Sequence, residues 1–497
     1  MKRSTVAAVT AFAVFAGGGT AGAQTAVTFE NGYPTPEAAA ALKDELLYQR
    51  ATQSYLWAMP LLNIFAMKEA SERKFGRGYN VLPIWKKRLN AKTLVTTPNS
   101  DVIYAMGYLD LKDGPLVIEA PPGLQGILDD FFQRPICSLY KIEERHWCGD
   151  VGLPGPDKGK GGKYLLLPPD FKERAPAGYY TYRSRTYGVF VFWRGFFKDP
   201  NELREPVQLM EQTRIYPFSQ PAGQEAEPKR MQFPDGSGVP LNMLMPRDAK
   251  AFDMLKRAIE AEYADPADRD MRGMLADIGI VKGEPFKPDA HTREILEKAA
   301  RRASEMGRYQ ALEAMETLPG GLYYSDRRYV NGFPPIPGTP DFTTATYTDV
   351  GQRSGFFTIA YSASPGMALN VVDVGAKYPT AFRDADGDHL VGDRSYKLHL
   401  PPKIPAKLFW SVTLYDAESA SGLDNGQPFP SINAMDKPAA NPDGSIDLYF
   451  GPAPPGEGKN YLATVPGRGF FVMIRLYGPG KTFFNKTWKP GDVEKIR

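Results

Sequence analysis

The sequence predicts a mainly β protein with a helical insertion, an α+β chain in which two jelly-roll-like β-sandwiches flank a helical region. The first observation is a strand pattern ending in prolines, which recurs at 116–122 (LVIEAPP), 164–169 (YLLLPP), 396–402 (YKLHLPP) and 447–455 (DLYFGPAPP). The second is composition, because 48 glycines and 45 prolines spread among strand-like segments are typical of a turn-rich β protein. The third is a change to helical periodicity in the middle of the chain. Repeated strands and corners therefore predict two stacked sandwiches.

The 497 residues are too many for one core, and a prior of roughly 150 residues per domain favours about three units. Apolar residues at helical spacing predict helices at 35–74, 248–264 and 290–318, with Pro60 as a kink in the first. The predicted boundaries are a signal peptide at 1–23, an N-terminal helical segment at 24–92, a first sandwich at 93–200, a helical region at 201–330 and a second sandwich at 331–497. We expect the last unit to run to the C-terminus as strands.

The N-terminus has the pattern of a secretory signal. Lys2 and Arg3 precede an apolar run at 6–15, and the small residues at 21–23 predict cleavage after Ala23. The run is too short to span a bilayer, which takes about 20 apolar residues, and no later segment is long and apolar enough. We therefore expect a soluble periplasmic or secreted protein without a transmembrane segment in its mature form; an anchored form that keeps its signal is the alternative.

The charge of the chain is nearly balanced, with 60 basic and 57 acidic residues and a formal net charge of +3. Such a chain has no basic field to attract nucleic acid, so we expect no nucleic-acid partner. The expected partner is a small molecule or a polymer. The pattern leaves its identity open, together with the oligomeric state.

Cys137 and Cys148 are the only cysteines of the chain. In a protein that matures in an oxidising compartment, a pair of this kind favours a disulfide. The alternative is that Cys148 is a nucleophile with His146 as its base. Export favours the disulfide, because pairing removes the thiolate that nucleophilic chemistry requires.

Long motifs of the chain resemble two known families. Residues 95–122 (VTTPNSDVIYAMGYLDLKDGPLVIEAPP) and 155–169 (GPDKGKGGKYLLLPP) resemble the domain-of-unknown-function family numbered 1254. The segments that resemble the companion family numbered 1214 are 398–416, 441–455, 470–479 and 487–496. The resemblance implies a bacterial exported protein with two jelly-roll-like sandwiches around a helical region, and it implies no activity. The chain departs from the family pattern after Asp416, where relatives often have Thr-Arg-Ser, and at 460–462, where Asn-Trp is usual.

The first candidate site is the segment Thr97-Pro98-Asn99-Ser100-Asp101, followed by Tyr104. Asn99, Asp101 and Tyr104 place an amide, a carboxylate and a phenol close together in sequence, and a carboxylate near a phenol can orient water or bind a sugar hydroxyl. An extended strand would put Tyr104 on the face opposite the other two, so a joint site needs a turn or a bulge. The alternative is an Asx-turn that closes on its own backbone.

The second candidate site is a charged pair in apolar strands. Asp416 ends the strand TLYD and Arg475 lies in IRLY, where an unpaired charge is costly. We predict either a structural bridge between Asp416 and Arg475 or a pocket in which they bind a polar ligand. Trp410 and Trp488 are predicted to add aromatic surface for that ligand, with core positions as the alternative.

Asp384, Asp386 and Asp388 occupy the first, third and fifth places of a calcium-type loop, where a hard cation prefers oxygen ligands. The twelfth place is Ser395 instead of Glu, and the glycine is Gly387 at the fourth place instead of the sixth. A hairpin turn is therefore the favoured interpretation, with a divalent cation as the alternative. We predict no other cofactor or metal, because the four histidines lack zinc-site spacing.

Two classes of function follow from these patterns. If the protein is an enzyme, we expect a hydrolase of a small or polymeric substrate that uses carboxylate acid/base chemistry in a cleft between the sandwiches. No GxSxG motif is present, so a serine hydrolase of that type has no local support. The alternative is a non-catalytic protein that binds carbohydrate, a small ligand or the cell envelope.

Overall fold

The computed structural model describes residues 27–218, 229–332 and 339–496, so the predicted signal peptide at 1–23 lies outside the described residues. The chain divides into two compact units, Met1–Leu47 and Tyr48–Arg497. In the first unit the described residues form a two-stranded antiparallel hairpin and the beginning of a long helix. The second unit contains two β-sandwiches and the remaining helices.

The helices before residue 330 lie within the predicted helical segments or the predicted helical region, and three further helices lie in the described part of the last unit. In chain order they are α1 (Pro36–Phe75), α2 (Arg204–Met210), α3 (Lys250–Ala261), α4 (Arg269–Asp277), α5 (Ala290–Tyr309), α6 (Met315–Thr317), α7 (Val350–Ile359), α8 (Pro365–Ala368) and α9 (Lys481–Phe484). A π-helical segment, Gln310–Ala314, joins α5 to α6. The expectation that the last unit contains only strands is wrong, because it contains α7. This helix begins where the Asp349 side chain accepts a hydrogen bond from the Gln352 backbone N–H.

The strands divide into one group before the central helices and one group after them. In chain order they are β1 (Phe29–Glu30), β2 (Tyr33–Pro34), β3 (Thr93–Leu94), β4 (Ile103–Asp110), β5 (Leu116–Ala120), β6 (Gln125–Asp130), β7 (Asp150–Val151), β8 (Gly162–Leu167), β9 (Tyr180–Arg183), β10 (Gly188–Gly195), β11 (Arg214–Pro217), β12 (Leu241–Asn242), β13 (Ala376–Lys377), β14 (Thr380–Ala381), β15 (Tyr396–Leu400), β16 (Ala406–Asp416), β17 (Ser431–Asn433), β18 (Ile446–Gly451), β19 (Asn460–Ala463), β20 (Phe470–Pro479) and β21 (Val493–Lys495).

The first sandwich is built from two four-stranded sheets, in the orders β4-β10-β6-β7 and β11-β5-β8-β9. Their facing side chains share one core, with Leu128 and Val191 from the first sheet against Ile118 and Leu166 from the second. Alternate residues of a strand point to opposite faces, so the other residues of β10 and β6 face away from this core. Because β11 pairs with β5, the first sandwich extends beyond the predicted boundary at 200.

The second sandwich repeats the strand order of the first. Strands β20, β16 and β17 are flanked by β13 and β14 in one sheet, and the other sheet has the order β19-β18-β15-β21. Position by position, β20 corresponds to β10, β16 to β6, β15 to β5 and β18 to β8. In both sandwiches the outermost pair of the second sheet, β8 with β9 and β18 with β19, is parallel. The proline-ending repeats thus lie on equivalent strands: β5 with β15, and β8 with β18.

This architecture confirms the predicted class, a sheet-rich α+β protein with a helical region between two sheet regions. The jelly-roll connectivity is not confirmed. Cys137 and Cys148 form a disulfide with an S–S distance of 2.03 Å, which leaves neither thiol free. Among the residues that the structure describes, no helix is both long and apolar enough to cross a membrane.

Candidate functional site

Each sandwich carries a buried arginine on the outer face of an inner strand. In β10, Val191 and Trp193 belong to the core of the first sandwich, so Arg194 points to the opposite face. In β20, Ile474 belongs to the core of the second sandwich, and Arg475 points away from it in the same manner. Arg194 is 7% exposed and Arg475 is 3% exposed.

Both arginines line one cavity between the two sandwiches, with a free volume of about 490 Å³ that includes its open side. The remaining lining residues are mainly aromatic or hydroxyl-bearing: Thr97, Tyr104, Phe192, Gly332, Phe356, Ala360, Tyr361, Met367, Tyr378, Met473 and Tyr477. None of these side chains is a carboxylate.

The cavity has a corresponding tyrosine from each sandwich. Tyr104 lies directly opposite Arg194 in the pairing of β4 with β10. In the second sandwich, the Ile474 backbone N–H donates to the Pro379 carbonyl between β13 and β14, which places Tyr378 at the equivalent position beside the strand that bears Arg475. The polar end of the cavity is therefore formed by two arginine and tyrosine pairs from equivalent strands.

The two guanidinium groups differ in how well they are satisfied. Arg475 donates from Nη1 to Thr413 Oγ1 at 3.1 Å, and from Nη2 to the Thr97 carbonyl at 3.0 Å and the Pro98 carbonyl at 3.3 Å. Arg194 donates from Nη2 to the Met367 sulfur at 3.2 Å, which is a weak acceptor, and its buried Nε has no partner. Neither arginine forms an ion pair with any residue of the described ranges, where an ion pair means N···O within 4.0 Å.

Both arginines stay charged in this setting. Burial by itself lowers the pKa of Arg194, but interaction with the hydroxyls of Tyr378 and Tyr104 outweighs burial and raises the pKa above its ordinary value. The pKa of Arg475 is raised in the same way, with Tyr415 as the largest favourable contribution. Burial raises the pKa of Tyr104 well above its usual range, so at neutral pH its hydroxyl is a neutral donor and acceptor beside a fixed positive charge.

The predicted segment around Asn99 forms part of this site. Thr97 has φ +36°, which is unfavourable for a β-branched residue and typical of a strained functional position. This conformation accompanies the hydrogen bond from Arg475 to the Thr97 carbonyl. Asn99 donates from Nδ2 to the Tyr477 hydroxyl at 2.6 Å, so it positions a residue that lines the cavity. Tyr104 lines the cavity itself.

Asp101, the third predicted catalytic residue, is fully buried and fully paired. Its carboxylate accepts from Arg88 Nη2 at 2.9 Å, from Asn433 Nδ2 at 2.7 Å and from Ser431 Oγ at 2.7 Å. Ser431 and Asn433 belong to β17 of the second sandwich, whereas Asp101 immediately precedes β4 of the first. The carboxylate therefore joins the two sandwiches, and a catalytic role for it stays a prediction.

Asp416 and Arg475 do not form the predicted bridge. Asp416 lies opposite Phe470 in the pairing of β16 with β20, five positions from Arg475 and therefore roughly 17 Å away along the strand. Its carboxylate pairs instead with Arg468 at 2.9 Å and accepts from the Ser419 backbone N–H at 2.8 Å. Of the four predicted ligand-binding residues, Arg475 alone lines the cavity among the described residues.

Trp410 and Trp488 lie in the core of the second sandwich. Trp410 is 7% exposed and Trp488 is 6% exposed, and the Trp488 indole donates to the Pro401 carbonyl at 3.3 Å. Their side chains fill the space between the sheets. A direct role in ligand binding stays a prediction for both.

The three aspartates of the calcium-type loop surround a lysine. Lys495 Nζ lies 3.2 Å from Asp384, 3.0 Å from Asp386 and 2.7 Å from Asp388. The Asp384 carboxylate also accepts two backbone N–H groups of the turn, those of Asp386 and Asp388. Within the described ranges no group of three or more His, Cys, Asp or Glu residues is arranged to hold a metal ion. A divalent cation at the aspartates stays a prediction.

Arg194 is the cavity-lining charge that the sequence patterns did not single out. It follows directly on the apolar residues 189–193 (VFVFW) of β10. The signal was available, because Arg194 follows an apolar strand of the first sandwich as Arg475 interrupts one of the second. Tyr361, Tyr378 and Tyr477 carried no local signal, since distant segments bring them to the cavity.

The chain matches the models of two families of proteins of unknown function. Residues 79–217 match DUF1254 and residues 375–481 match DUF1214. The chain therefore carries an N-terminal DUF1254 region and a C-terminal DUF1214 region, which confirms the resemblance seen in the motifs. The first match covers the first sandwich and the second covers most of the other, so both arginines of the cavity come from these regions. Five further lining residues lie between the two matches: Gly332, Phe356, Ala360, Tyr361 and Met367.

Two solved structures are similar to this chain. The VPA0106 protein from Vibrio parahaemolyticus is 18% identical, with a TM-score of 0.50 over 92% of this chain and 100% of that one. An uncharacterized protein from Burkholderia cenocepacia is 11% identical, with a TM-score of 0.39 over 93% of this chain and 97% of that one. The first likeness is evidence for the fold alone. The comparison with curated proteins returned no match.

Proposed function

We propose that the protein binds a small organic anion in the cavity between its two sandwiches. The observation that carries the proposal is the pair Arg194 and Arg475, two buried guanidinium groups that line one cavity. A buried charge without a partner is strongly unfavourable, so buried cations in proteins are normally paired. Among the described residues no carboxylate lies within 4.0 Å of either guanidinium, although Arg194 lowers the pKa of the buried Asp150, so a bound anion would supply a direct counter-charge.

The hydrogen-bonding groups of the cavity favour a carboxylate, a phosphate ester or a sulfate ester. Guanidinium groups bind such oxygens in a planar geometry and often through two hydrogen bonds at once. The unpartnered Nε of Arg194 is the donor that a ligand oxygen would satisfy first. The tyrosine hydroxyls, held neutral by burial, add donors without adding charge. The aromatic lining excludes water and strengthens each of these contacts.

Hydrolysis by carboxylate acid/base chemistry is the alternative function for the same cavity. It requires a carboxylate that reaches the substrate. The described lining of the cavity contains none, and Asp101 is occupied by three partners. Binding without catalysis is therefore the function that these observations support best.

The test is a thermal-shift screen of the mature chain against carboxylates, phosphate esters and sulfate esters at constant ionic strength. A ligand at about 100 times its Kd stabilises the folded state by about 2.7 kcal/mol, which raises the melting temperature. We expect Arg194→Met to abolish the shift. The matched control is Arg174→Met, which removes an exposed arginine and the same net charge and should leave the shift unchanged. An equal shift in both variants would contradict the proposal.

We also propose that the protein acts outside the cytoplasm, in the periplasm or after secretion. The support is the N-terminal pattern of Lys2 and Arg3, the apolar run at 6–15 and the small residues that end at Ala23. Intact-mass measurement of the protein recovered from a bacterial periplasmic extract tests this. We expect the mass of a chain that begins at Gln24. A chain that keeps Lys2 and Arg3 and is found in the cytoplasmic fraction alone would contradict the proposal.

A further inference from the structure

A second cavity lies beside the one that contains the arginines. Its free volume is about 460 Å³, and it shares five lining residues with the first: Thr97, Gly332, Phe356, Ala360 and Met473. The two cavities are therefore neighbours with a common boundary. A ligand whose charged group lies between the arginines can extend across this boundary.

The second cavity is apolar where the first is charged. Ala311, Met315, Val330, Ile359 and Phe382 line it, and no charged side chain is among its described lining residues. Val330, Phe382 and Met473 are also buried in one apolar cluster, against which Met315 and Ile359 pack. The wall on this side is therefore mainly apolar, although Asn331, Gln352 and Thr380 also line the cavity.

The shape of this wall depends on a close approach of two helical segments. The π-helical segment Gln310–Ala314 supplies Ala311, and α7 supplies Ile359. Gly355 of α7 allows the approach, because a Cβ there would lie 3.0 Å from the Cβ of Gln310. π-Helical turns occur frequently at functional sites, and this one forms a wall of the apolar cavity.

We infer that the ligand is an amphipathic acid, with its anionic group between Arg194 and Arg475 and a hydrocarbon tail in the apolar cavity. This inference rests on the proposed anion binding and adds the class of the ligand. The common boundary of the two cavities and the contrast in their linings carry the argument. The apolar lining favours an aliphatic tail, because burial of each methylene contributes about 0.8 kcal/mol.

The test is isothermal titration of the mature protein with straight-chain carboxylates from butanoate to decanoate, each kept below its micelle concentration. We expect Kd to fall about fourfold for each added methylene until the apolar cavity is full, which is the factor that corresponds to about 0.8 kcal/mol. Alkan-1-ols of equal length should bind much more weakly, because they lack the charge that the arginines require.

Two variants locate the tail. Ala311→Phe should fill the apolar cavity and remove the dependence on chain length, while butanoate binds as before. Ala314→Phe, in the same π-helical segment but outside the cavity lining, is the matched control. If Ala311→Phe fails to fold, Ile359→Ala tests the same wall in the opposite direction by shifting the optimum to a longer chain.

The possible failures are distinct. If acids bind through Arg194 with one Kd at every chain length, the amphipathic ligand is wrong while the anion site stands. If chain length matters equally in Ala311→Phe, the tail lies elsewhere and the inference is overturned. If no acid, phosphate ester or sulfate ester binds, the proposed function itself fails, and this inference fails with it.

Discussion

The two sandwiches share one strand order, yet they treat the equivalent arginine differently. In the second sandwich, Arg475 donates three hydrogen bonds to Thr413 and to the carbonyls of Thr97 and Pro98. In the first, Arg194 donates to the sulfur of Met367 and keeps a buried Nε without a partner. The hydrogen bonds of Arg475 stabilise the fold, whereas Arg194 keeps an unused hydrogen-bond donor. Under the proposed anion binding, Arg475 would anchor the site and Arg194 would contact the ligand.

A second contrast lies on the neighbouring strands. When Arg194 is aligned with Arg475, Asp150 of β7 corresponds to Ser431 of β17, because each lies opposite the equivalent residue of its neighbouring strand. Ser431 donates to the carboxylate of Asp101 and so belongs to the connection between the sandwiches. Asp150 is a buried acid that accepts from the Gly366 backbone N–H at 2.7 Å. The first sandwich thus holds a buried titratable group where the second holds a hydroxyl.

The largest effect is expected from breaking the connection between the sandwiches. Asp101→Asn leaves the buried Arg88 without its counter-charge, and removing one partner of a buried pair costs about 3–5 kcal/mol. Urea unfolding of the variant measures this loss. Asp113→Asn, at an exposed aspartate, is the control and should change stability by less than about 0.5 kcal/mol. If Asp101→Asn keeps full stability but loses a measurable turnover, the carboxylate is catalytic and the structural assignment is wrong.

The next largest loss of stability is expected at Arg475, and it should exceed the loss that follows from breaking an ordinary ion pair. Arg475→Met removes the hydrogen bonds to Thr413, Thr97 and Pro98, and a hydrogen bond to a charged group contributes about 1.5–3 kcal/mol. We expect a loss of about 2–3 kcal/mol in the free energy of unfolding. Arg302→Met, which breaks an exposed pair with Glu305, is the control and should cost less than about 1 kcal/mol. Equal losses in the two variants would remove the distinction.

The buried acid of the first sandwich predicts a pH dependence. Burial raises the pKa of Asp150 from 3.8 to about 6, although the Ser364 hydroxyl and the Gly366 N–H lower it in part. The folded state therefore holds this proton more tightly than the unfolded chain. Its contribution to stability is complete below about pH 4 and is lost as the pH rises through 6, with a total of roughly 2–3 kcal/mol.

Urea unfolding from pH 4 to pH 8 measures this contribution. Asp150→Asn should reduce the decline in the free energy of unfolding that the unaltered protein shows as the pH rises through 6. Asp113→Asn should run parallel to the unaltered protein, because its carboxylate is exposed. A variant profile at Asp150 that keeps the full decline would show that other groups cause it.

The smallest effect on stability is expected at Arg194. Arg194→Met removes a buried charge that donates to the Met367 sulfur and lies 5.1 Å from the centre of the Phe192 ring, and apolar replacements of buried charges are often neutral or stabilising. We expect a change within about 1 kcal/mol, or a gain, in the ligand-free protein. The difference between the unfolding free energies of Arg194→Met and Arg475→Met is the sharpest measure of how the two arginines differ. A loss as large as that of Arg475→Met would mean that Arg194 also holds the fold together.

Much of the architecture could be predicted from local patterns. The strand that ends in prolines marks β5, β8, β15 and β18, and these are equivalent positions of a repeated fold. The helices α3 and α5 begin near the predicted positions because their apolar residues recur on one face. The helix α1 also lies where predicted, although its apolar residues do not keep to one face over its length. α7 was missed, since the sequence VGQRSGFFTI has no clear polar face. Its beginning was marked only by Asp349 as an N-cap.

The site was predicted in part, for a physical reason. Tyr104 was predicted because it lies close in sequence to the amide of Asn99 and the carboxylate of Asp101, and Arg475 because a charge in an apolar strand is a local anomaly. Both line the cavity. Their convergence with Arg194 depends on how the two sandwiches pack, and no local spacing encodes that. Asp416 was paired with Arg475 on the basis of charge alone, whereas strand register separates them.

The most direct test of an anion site between the sandwiches is an anomalous diffraction experiment on crystals soaked with 4-bromobenzoate. We predict a bromine peak inside the cavity lined by Tyr104 and Tyr477, with carboxylate density at the guanidinium of Arg194. Crystals of Arg194→Met treated in the same way should lack both features. Bromine peaks on the outer surface alone, with an empty cavity in the unaltered protein, would contradict the account.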